Sequence, residues 1–281
     1  MSLDASVSST LLARLRELCA DEGERIDLLE AALTLSVLQR DETINRAPLH
    51  QHVDAIAADL ADLVRRRGAQ PDRLAEVIAS AYGYRGDSET YDDLQNADFA
   101  RVLERRKGLP VALSILYLHV ARAQGWDAEG LAFPGHFLIR VEIEGARHVL
   151  DPFNDGLVCD AAEMRTLLQR VLGPNANLSP EHFDAVPDRD VLLRLENNVR
   201  LRLAKREDWT GAARSLDRML AIAPDRPALL FEDGQINARL DKRRAAIAAF
   251  ERFLATEAAK ADPAWAARAS ELLQELRRGL N

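Results

Sequence analysis

The fold is decided by residues 105–153, which open with Arg105-Arg-Lys-Gly-Leu-Pro110 and close with Val149-Leu-Asp-Pro-Phe153. Between these ends, residues 111–123 are apolar nearly all round. Such a segment predicts a helix that is buried on most of its sides. Pro110 falls in the first turn of that helix, where its missing N–H leaves no helical hydrogen bond unmade. We therefore expect this helix to be the centre of the fold.

After the helix, apolar and polar residues alternate, which is typical of half-buried strands. Glu144-Gly145 indicates a tight hairpin loop, and this loop pairs Ile143 with Ala146. The same register makes His136 a diagonal neighbour of Asp151, at roughly 7–8 Å between backbones. We expect the two side chains to share one face, near the start of the core helix. The predicted strands are Ala128–Phe133, His136–Ile143 and Arg147–Asp151.

The segments around this core carry other signals. Residues 1–82 have apolar side chains at helical spacing, which predicts helices, while the glycine-rich and polar residues 83–95 indicate a loop. Asp160 and Glu163 form a capping-box pattern before a helix at 164–172. Residues 173–187 contain three prolines, so we place the domain boundary there. The predicted domains are residues 1–187 and 188–281.

The second half of the chain contains an internal repeat. Ala212 and Leu216 recur as Ala246 and Phe250, at a spacing of about 34 residues that is typical of tetratricopeptide-type helical hairpins. Fewer than three such units rarely fold alone. We expect about one and a half to two units, with flanking helices at Val191–Lys205 and Pro263–Arg278.

Composition limits the function classes. The net charge of −8 argues against a nucleic-acid partner, because phosphate contacts need clustered cations. We find no signal peptide and no apolar run long enough to span a membrane, so we expect a cytoplasmic protein. Cys19 and Cys159 fit neither a disulfide framework nor a zinc site. We expect no metal and no cofactor.

Three motifs carry a resemblance to a known family: Arg106-Lys-Gly-Leu-Pro110, Pro134-Gly-His-Phe137 and Asp151-Pro-Phe-Asn154. The chain resembles a bacterial family that joins a transglutaminase-like domain to C-terminal tetratricopeptide repeats, and whose type member was named as an invasion regulator. The resemblance covers nearly the whole chain. It implies an α+β fold with a helical N-terminal part, a papain-like core helix beside a small antiparallel sheet, and C-terminal helical hairpins.

The resemblance also implies a site. In the transglutaminase-like superfamily a Gly-x-Cys pattern opens the core helix, and the helix N-terminus and a His–Asp pair activate the thiol. On this chain the pattern puts Pro110 at the cysteine, while His136 and Asp151 keep the places of the catalytic pair. The catalytic set is therefore degenerate, since its nucleophile is absent. The candidate binding residues implied by the same motifs are Gly108, Gly135, Phe137 and Asn154.

Two interpretations of the pair stay open. His136 and Asp151 bind a polar group, or they only cap and start the turns in which they stand. The first functional hypothesis is a non-catalytic interaction or regulatory module, which binds an unknown protein or peptide through a pocket and the repeats. The alternative is a hydrolase or amide-transfer enzyme that uses the pair with water. A third is a structural scaffold without a pocket.

Overall fold

The structure is a computed structural model that describes residues 3–20, 23 and 25–278. It is mostly helical with a small antiparallel sheet, so the predicted α+β class is confirmed. The helices of the described residues are α1 (Ala5–Leu18), α2 (Leu28–Arg40), α3 (Ala47–Arg67), α4 (Asp72–Leu74, continuing as the π-helix Ala75–Ala81), α5 (Phe99–Arg105), α6 (Pro110–Ala123), α7 (Ala161–Leu172), α8 (Asp188–Lys205), α9 (Trp209–Ile222), α10 (Pro227–Arg239), α11 (Arg243–Leu254), α12 (Glu257–Ala261) and α13 (Pro263–Arg278). The strands of these residues are β1 (Arg85–Gly86), β2 (Lys107–Gly108), β3 (Asp127–Leu131), β4 (Leu138–Ile143), β5 (Ala146–Asp151), β6 (Leu157–Cys159) and β7 (Ala185–Val186).

Helix α6 is the predicted core helix, and it is buried along most of its length. Helices α2, α3 and α5 and strands β3 and β4 pack around it, which is why apolar residues occur on all its sides. It begins at Pro110 because Leu109 is extended, with φ −72° and ψ 160°, and a proline at the next position has its ring already set for a helix.

The sheet packed beside α6 has the strand order β6-β5-β4-β3-β7, and all its neighbours are antiparallel. Glu144 and Gly145 form the loop between β4 and β5, both with positive φ, as a tight hairpin of this kind requires. Ile143 pairs with Ala146, which confirms the predicted register. The three predicted strands are therefore neighbours in the sheet, and β6 and β7, which the sequence analysis did not predict, form its two edges.

The predicted strand ends around Pro134 were wrong, and the predicted loop contains a short strand. Strand β3 ends at Leu131 rather than Phe133, and β4 begins at Leu138 rather than His136. Pro134 has no N–H to give to a ladder, so the chain leaves the sheet around it and His136 lies in the turn before β4. In the predicted loop, Arg85 and Gly86 form β1, which pairs in parallel with β2. The predicted capping box of Asp160 and Glu163 is confirmed at the start of α7, although this helix begins at Ala161 rather than at residue 164.

The described chain forms two compact units. The first contains residues up to Leu11 and those from 23 to 195, and the second contains Leu12–Ala20 and the residues from Glu196 onward. The division falls inside α8. The domain boundary that the sequence places at residues 187 and 188 stays a prediction.

The second unit is built from helical hairpins. Ala212 and Leu216 of α9 are fully buried, and so are Ala246 and Phe250 of α11, which are the positions of the sequence repeat. The Phe250 ring packs so closely on α10 that a Cβ at Gly234 would lie 2.6 Å from it. The small and large residues of the repeat therefore pack as neighbouring helices require.

None of the helices described is long and apolar enough to cross a membrane.

Candidate functional site

The start of α6 is fixed by backbone contacts from two other segments. Gly86 of β1 pairs with Gly108 of β2, and Leu109 N donates to the carbonyl oxygen of Asn96 at 2.9 Å. A Cβ on Gly108 would lie 2.8 Å from Val102 Cγ2, so only glycine fits here without a shift. Gly108 thus serves a close approach of segments at the start of the helix.

A buried carboxylate holds the loop beside this start. Asp87 is 2% exposed, and it accepts hydrogen bonds from Thr90 N at 2.9 Å, Thr90 Oγ1 at 2.7 Å and Arg105 Nη2 at 3.0 Å. Its own N donates to the Gly108 carbonyl oxygen at 3.2 Å. Burial alone would raise the pKa of Asp87, but the bonds from Thr90 and Arg105 outweigh it and lower the pKa to about 2. The charged form therefore dominates at neutral pH.

The turn that follows β5 lies directly against β1. Gly86 N donates to the Phe153 carbonyl oxygen at 3.1 Å. A Cβ on Gly86 would lie 2.5 Å from that same oxygen. Because Gly86 also pairs with Gly108, it joins the start of α6 to the turn that begins at Asp151.

His136 and Asp151 form a hydrogen-bonded pair. His136 Nε2 lies 2.8 Å from Asp151 Oδ1. The Asp151 side chain is 1% exposed and the His136 side chain 15% exposed, so only the imidazole reaches the surface. The predicted meeting of the two side chains is confirmed, although His136 precedes the strand on which it was expected.

The Asp151 carboxylate is surrounded by donors. Oδ1 also accepts from Phe153 N at 3.0 Å, and Oδ2 accepts from Asn154 Nδ2 at 2.5 Å. Burial alone would raise the pKa of Asp151, but the hydrogen bond and charge of His136 and the bonds from Asn154 outweigh it, so the pKa is lowered. A carboxylate only accepts, so His136 Nε2 carries the shared proton and Nδ1 is the nitrogen left for another group.

Aromatic rings extend from the pair to the surface. The Phe153 ring meets His136 edge-on, with the centroids 6.1 Å apart at 89°. Tyr91 meets Phe153 in the same manner at 5.9 Å, and Tyr91 is 43% exposed. The imidazole therefore stands at one end of a short row of rings whose other end is open to solvent.

One face of α6 carries Pro110, Ser114 and Tyr117, which helical spacing of four and three residues brings together. The Ser114 Oγ and Tyr117 Oη atoms are buried, and neither finds a hydrogen-bond partner among the described residues. A Cβ on Gly156 would lie 2.6 Å from Tyr117 Oη, so this ring packs under the turn that follows Asp151. Tyr117 thus supports the Asp151 turn from below.

Cys159 does not offer a reactive thiol at neutral pH. Cys159 lies in β6 and is 8% exposed. Burial, together with the nearby carboxylates of Asp151, Glu163 and Asp160, raises the pKa of the Cys159 thiol to about 12. Cys19 is buried and belongs to the other compact unit. At neutral pH the Cys159 thiol is therefore protonated.

The remaining candidate binding residues, Gly135, Phe137 and Asn154, contact other residues of the same chain. Gly135 has φ +67°, and a Cβ there would lie 2.6 Å from Val171. Phe137 is 1% exposed, and Asn154 donates to Asp151 as described. Sequence reasoning missed Asp87 and Tyr117, and it also missed Arg194 of α8, whose Nη2 donates to the His136 carbonyl oxygen at 2.9 Å. For Asp87 a signal existed, since an aspartate followed three residues later by threonine favours a local side-chain bond.

The geometry agrees with comparisons of the chain with known proteins. The chain belongs to the transglutaminase-like superfamily, whose family model matches residues 47–197, more than half of its length. A tetratricopeptide-repeat model matches residues 199–274. The predicted order, a transglutaminase-like region followed by a repeat region, is confirmed.

Similar proteins occur in several bacteria. A UPF0162 protein of Vibrio cholerae is 31% identical over 241 residues, which cover 84% of this chain and 88% of the relative. A UPF0162 protein of Xylella fastidiosa is 29% identical over 260 residues, covering 88% and 90%. Protein SirB1 of Salmonella typhimurium is 25% identical over 183 residues, covering 64% and 68%. The first two matches span both regions of the chain.

We predict that Gly156→Ala destabilises the protein more than Gly145→Ala. Both glycines have positive φ, which costs about 1–2 kcal/mol for alanine, but only Gly156 also meets a side chain, Tyr117. Overpacking adds about 1–3 kcal/mol for Gly156→Ala. Urea denaturation of both variants measures the difference. Adding Tyr117→Phe should recover part of the Gly156→Ala loss, and equal losses for the two glycines would contradict the packing described.

We predict a pH-dependent loss of stability for Asp87→Asn. The folded-state pKa of about 2 lies below the unfolded value of about 3.9, so Asp87 stabilises the fold fully above pH 4 and loses this effect as the pH falls towards 2. The variant should lose about 2 kcal/mol of unfolding free energy at pH 6 and clearly less at pH 3. Thr90→Val, which removes one of the donors, should show a smaller loss. A difference from wild type that is the same at both pH values would contradict this assignment.

Proposed function

We propose that this chain is a non-catalytic transglutaminase-like protein that acts as an interaction or regulatory module for a protein or peptide. The observation that carries the proposal is Pro110. It occupies the first turn of α6, where the superfamily pattern has its nucleophilic cysteine, and a proline side chain has no nucleophilic atom. The adjacent residues, Leu109 and Val111, have none either. A cytoplasmic location, expected from the sequence, belongs to the same proposal.

The chemistry of Cys159 supports this proposal. A thiol attacks as the thiolate, and a pKa of about 12 leaves very little thiolate at neutral pH. The side chain is also 8% exposed, so a substrate carbonyl has little access to Sγ. Cys159 therefore does not supply His136 with an activated thiolate.

In this proposal the His136–Asp151 pair recognises a polar group of the partner. Asp151 is too deeply buried to touch a partner, so its role is to orient the imidazole, and His136 Nδ1 makes the contact. Tyr91, with 43% of its surface exposed, offers an aromatic surface a short distance along the row of rings. An aromatic contact beside a directed polar group suits the recognition of a peptide. Gly108, Gly135, Phe137 and Asn154 hold this arrangement in place.

The repeat region supports an interaction role independently. Stacked helical repeats present extended surfaces that bind other proteins. The repeat model covers residues 199–274, and Leu201 in this region leaves 51% of its surface exposed. We propose that this region supplies the second contact surface for the partner.

One observation favours a second candidate, a hydrolase that activates water. The imidazole of His136 is oriented by a carboxylate at 2.8 Å, which is the arrangement of a general base. This candidate and the interaction role differ in what they require of His136. Turnover must fall in His136→Ala for a hydrolase, whereas an interaction module shows no turnover to lose.

We predict that Pro110→Cys creates a reactive thiol. The first helical turn has unpaired N–H groups that favour an anion, and the Asp151-oriented His136 completes the frame, so the thiol pKa should fall below about 8.5. The measurement is the pH dependence of alkylation by a small reagent, with Cys159 as the internal comparison. Since proline is favoured but not required here, we expect the variant to lose under about 1 kcal/mol of stability. A thiol at position 110 that titrates like a free cysteine would contradict the catalytic frame.

The interaction role is tested with a displayed library of random peptides. The library is panned on wild type, on His136→Ala and on the matched surface variant Asp127→Asn, whose side chain is 55% exposed. We expect peptides that bind wild type and Asp127→Asn but not His136→Ala. Ester and amide turnover is measured with the same three proteins. Turnover that depends on His136, without any peptide that depends on it, would replace the interaction role with the hydrolase.

A further inference from the structure

An arginine of α8 reaches the turn that carries His136. Arg194 Nη2 donates to the His136 carbonyl oxygen at 2.9 Å. The Arg194 Cζ atom also lies 5.3 Å from the centroid of the Phe137 ring. His136 and Phe137 are consecutive in the chain, so a single guanidinium contacts both residues.

The turn that carries His136 lies outside the pairing of β4 with β5. The paired residues of β4 and β5 begin with Ile139 and Leu150, so residues 134–137 precede the ladder. Pro134 cannot donate a hydrogen bond, and Gly135 has φ +67°, a conformation that glycine adopts without side-chain strain. The direction of the His136 backbone must therefore be set from outside the sheet, and Arg194 makes such a contact.

Arg194 lies where a charged side chain is costly unless it makes specific contacts. The side chain is half-buried, and burial lowers its pKa, with the nearby Tyr91 acting in the opposite direction. Withdrawing a charged group from water is costly unless it gains directed contacts. Its directed contacts include the His136 carbonyl and the face of Phe137.

We propose that Arg194 is the positioning residue of the His136–Asp151 pair. Asp151 fixes the imidazole through Nε2, and Arg194 fixes the backbone from which the ring is suspended. Together they set the direction in which Nδ1 points. A guanidinium can lie flat on an aromatic ring while an N–H in its plane donates to a carbonyl, and a lysine ammonium cannot do both. This inference rests on the proposed function only where Nδ1 is said to contact a partner.

The test uses the full chain labelled with ¹⁵N-histidine, in which the His136 signals are identified by their loss in His136→Gln. The readout is the solvent exchange rate of the His136 Nε2 proton, which the bond to Asp151 protects. Loss of one charge-assisted hydrogen bond should speed exchange about tenfold in Arg194→Met. Arg194→Lys should remain faster than wild type, because the charge alone does not restore the geometry. The matched control is Arg140→Met, since Arg140 donates to the Phe183 carbonyl instead.

An exchange rate in Arg194→Met equal to those of wild type and Arg140→Met would overturn the proposal. If Arg194→Met does not fold, Arg194→Lys decides by the same criterion, and a wild-type rate in that variant overturns the proposal. The proton measurement needs no partner, so it is independent of the peptide panning. Faster exchange without any His136-dependent peptide would keep Arg194 as the positioning residue and reject the proposed function. A wild-type exchange rate in Arg194→Met together with His136-dependent peptides would reject Arg194 as the positioning residue and keep the proposed function.

Discussion

The buried charge of Asp151 is the constraint on which the site depends. A carboxylate that is 1% exposed loses most of its hydration, and it stays ionised only where hydrogen-bond donors replace the water. The chain supplies them from the turn that Asp151 itself begins and from His136 across it. Gly156 lets this turn close, since its N donates to the Asp151 carbonyl oxygen at 2.9 Å and its φ is +72°.

A second buried carboxylate, Asp87, holds the loop beside the start of α6 through its hydrogen bonds. It binds Thr90 and Arg105 and fixes the loop whose backbone meets Gly108. Helix α6 is buried along most of its length, and most of its side chains are apolar. Apolar packing therefore provides most of the stability in this region, while the two carboxylates determine the geometry of the chain around the helix start.

Much of this could be predicted from the sequence, and the reason differs between elements. The register of β4 and β5 follows from a two-residue loop and strict alternation, because a slip by one residue would turn every side chain to the wrong face. That register brings the beginning of β4 beside the end of β5, and the turn before β4 then carries His136 to Asp151. Arg194 could not be found in the same way, because it lies 58 residues from His136 in the chain and on a helix of ordinary polar pattern. The exact start of β4 was also missed, since alternation continues through residues that the ladder does not include.

The proline at the start of α6 has a consequence for how the family can diverge. Relative to cysteine, Pro110 removes two chemical features together, a sulfur and a backbone amide hydrogen. The supporting residues do not depend on either of them, because Asp151 and Asp87 are satisfied by their own turns and loops. Under the proposed function, a proline in place of the cysteine therefore leaves the supporting residues of the site in place. Under the same proposal, a chain with this proline keeps a scaffold that serves recognition alone, and a cysteine at this position would supply the thiol that covalent chemistry needs.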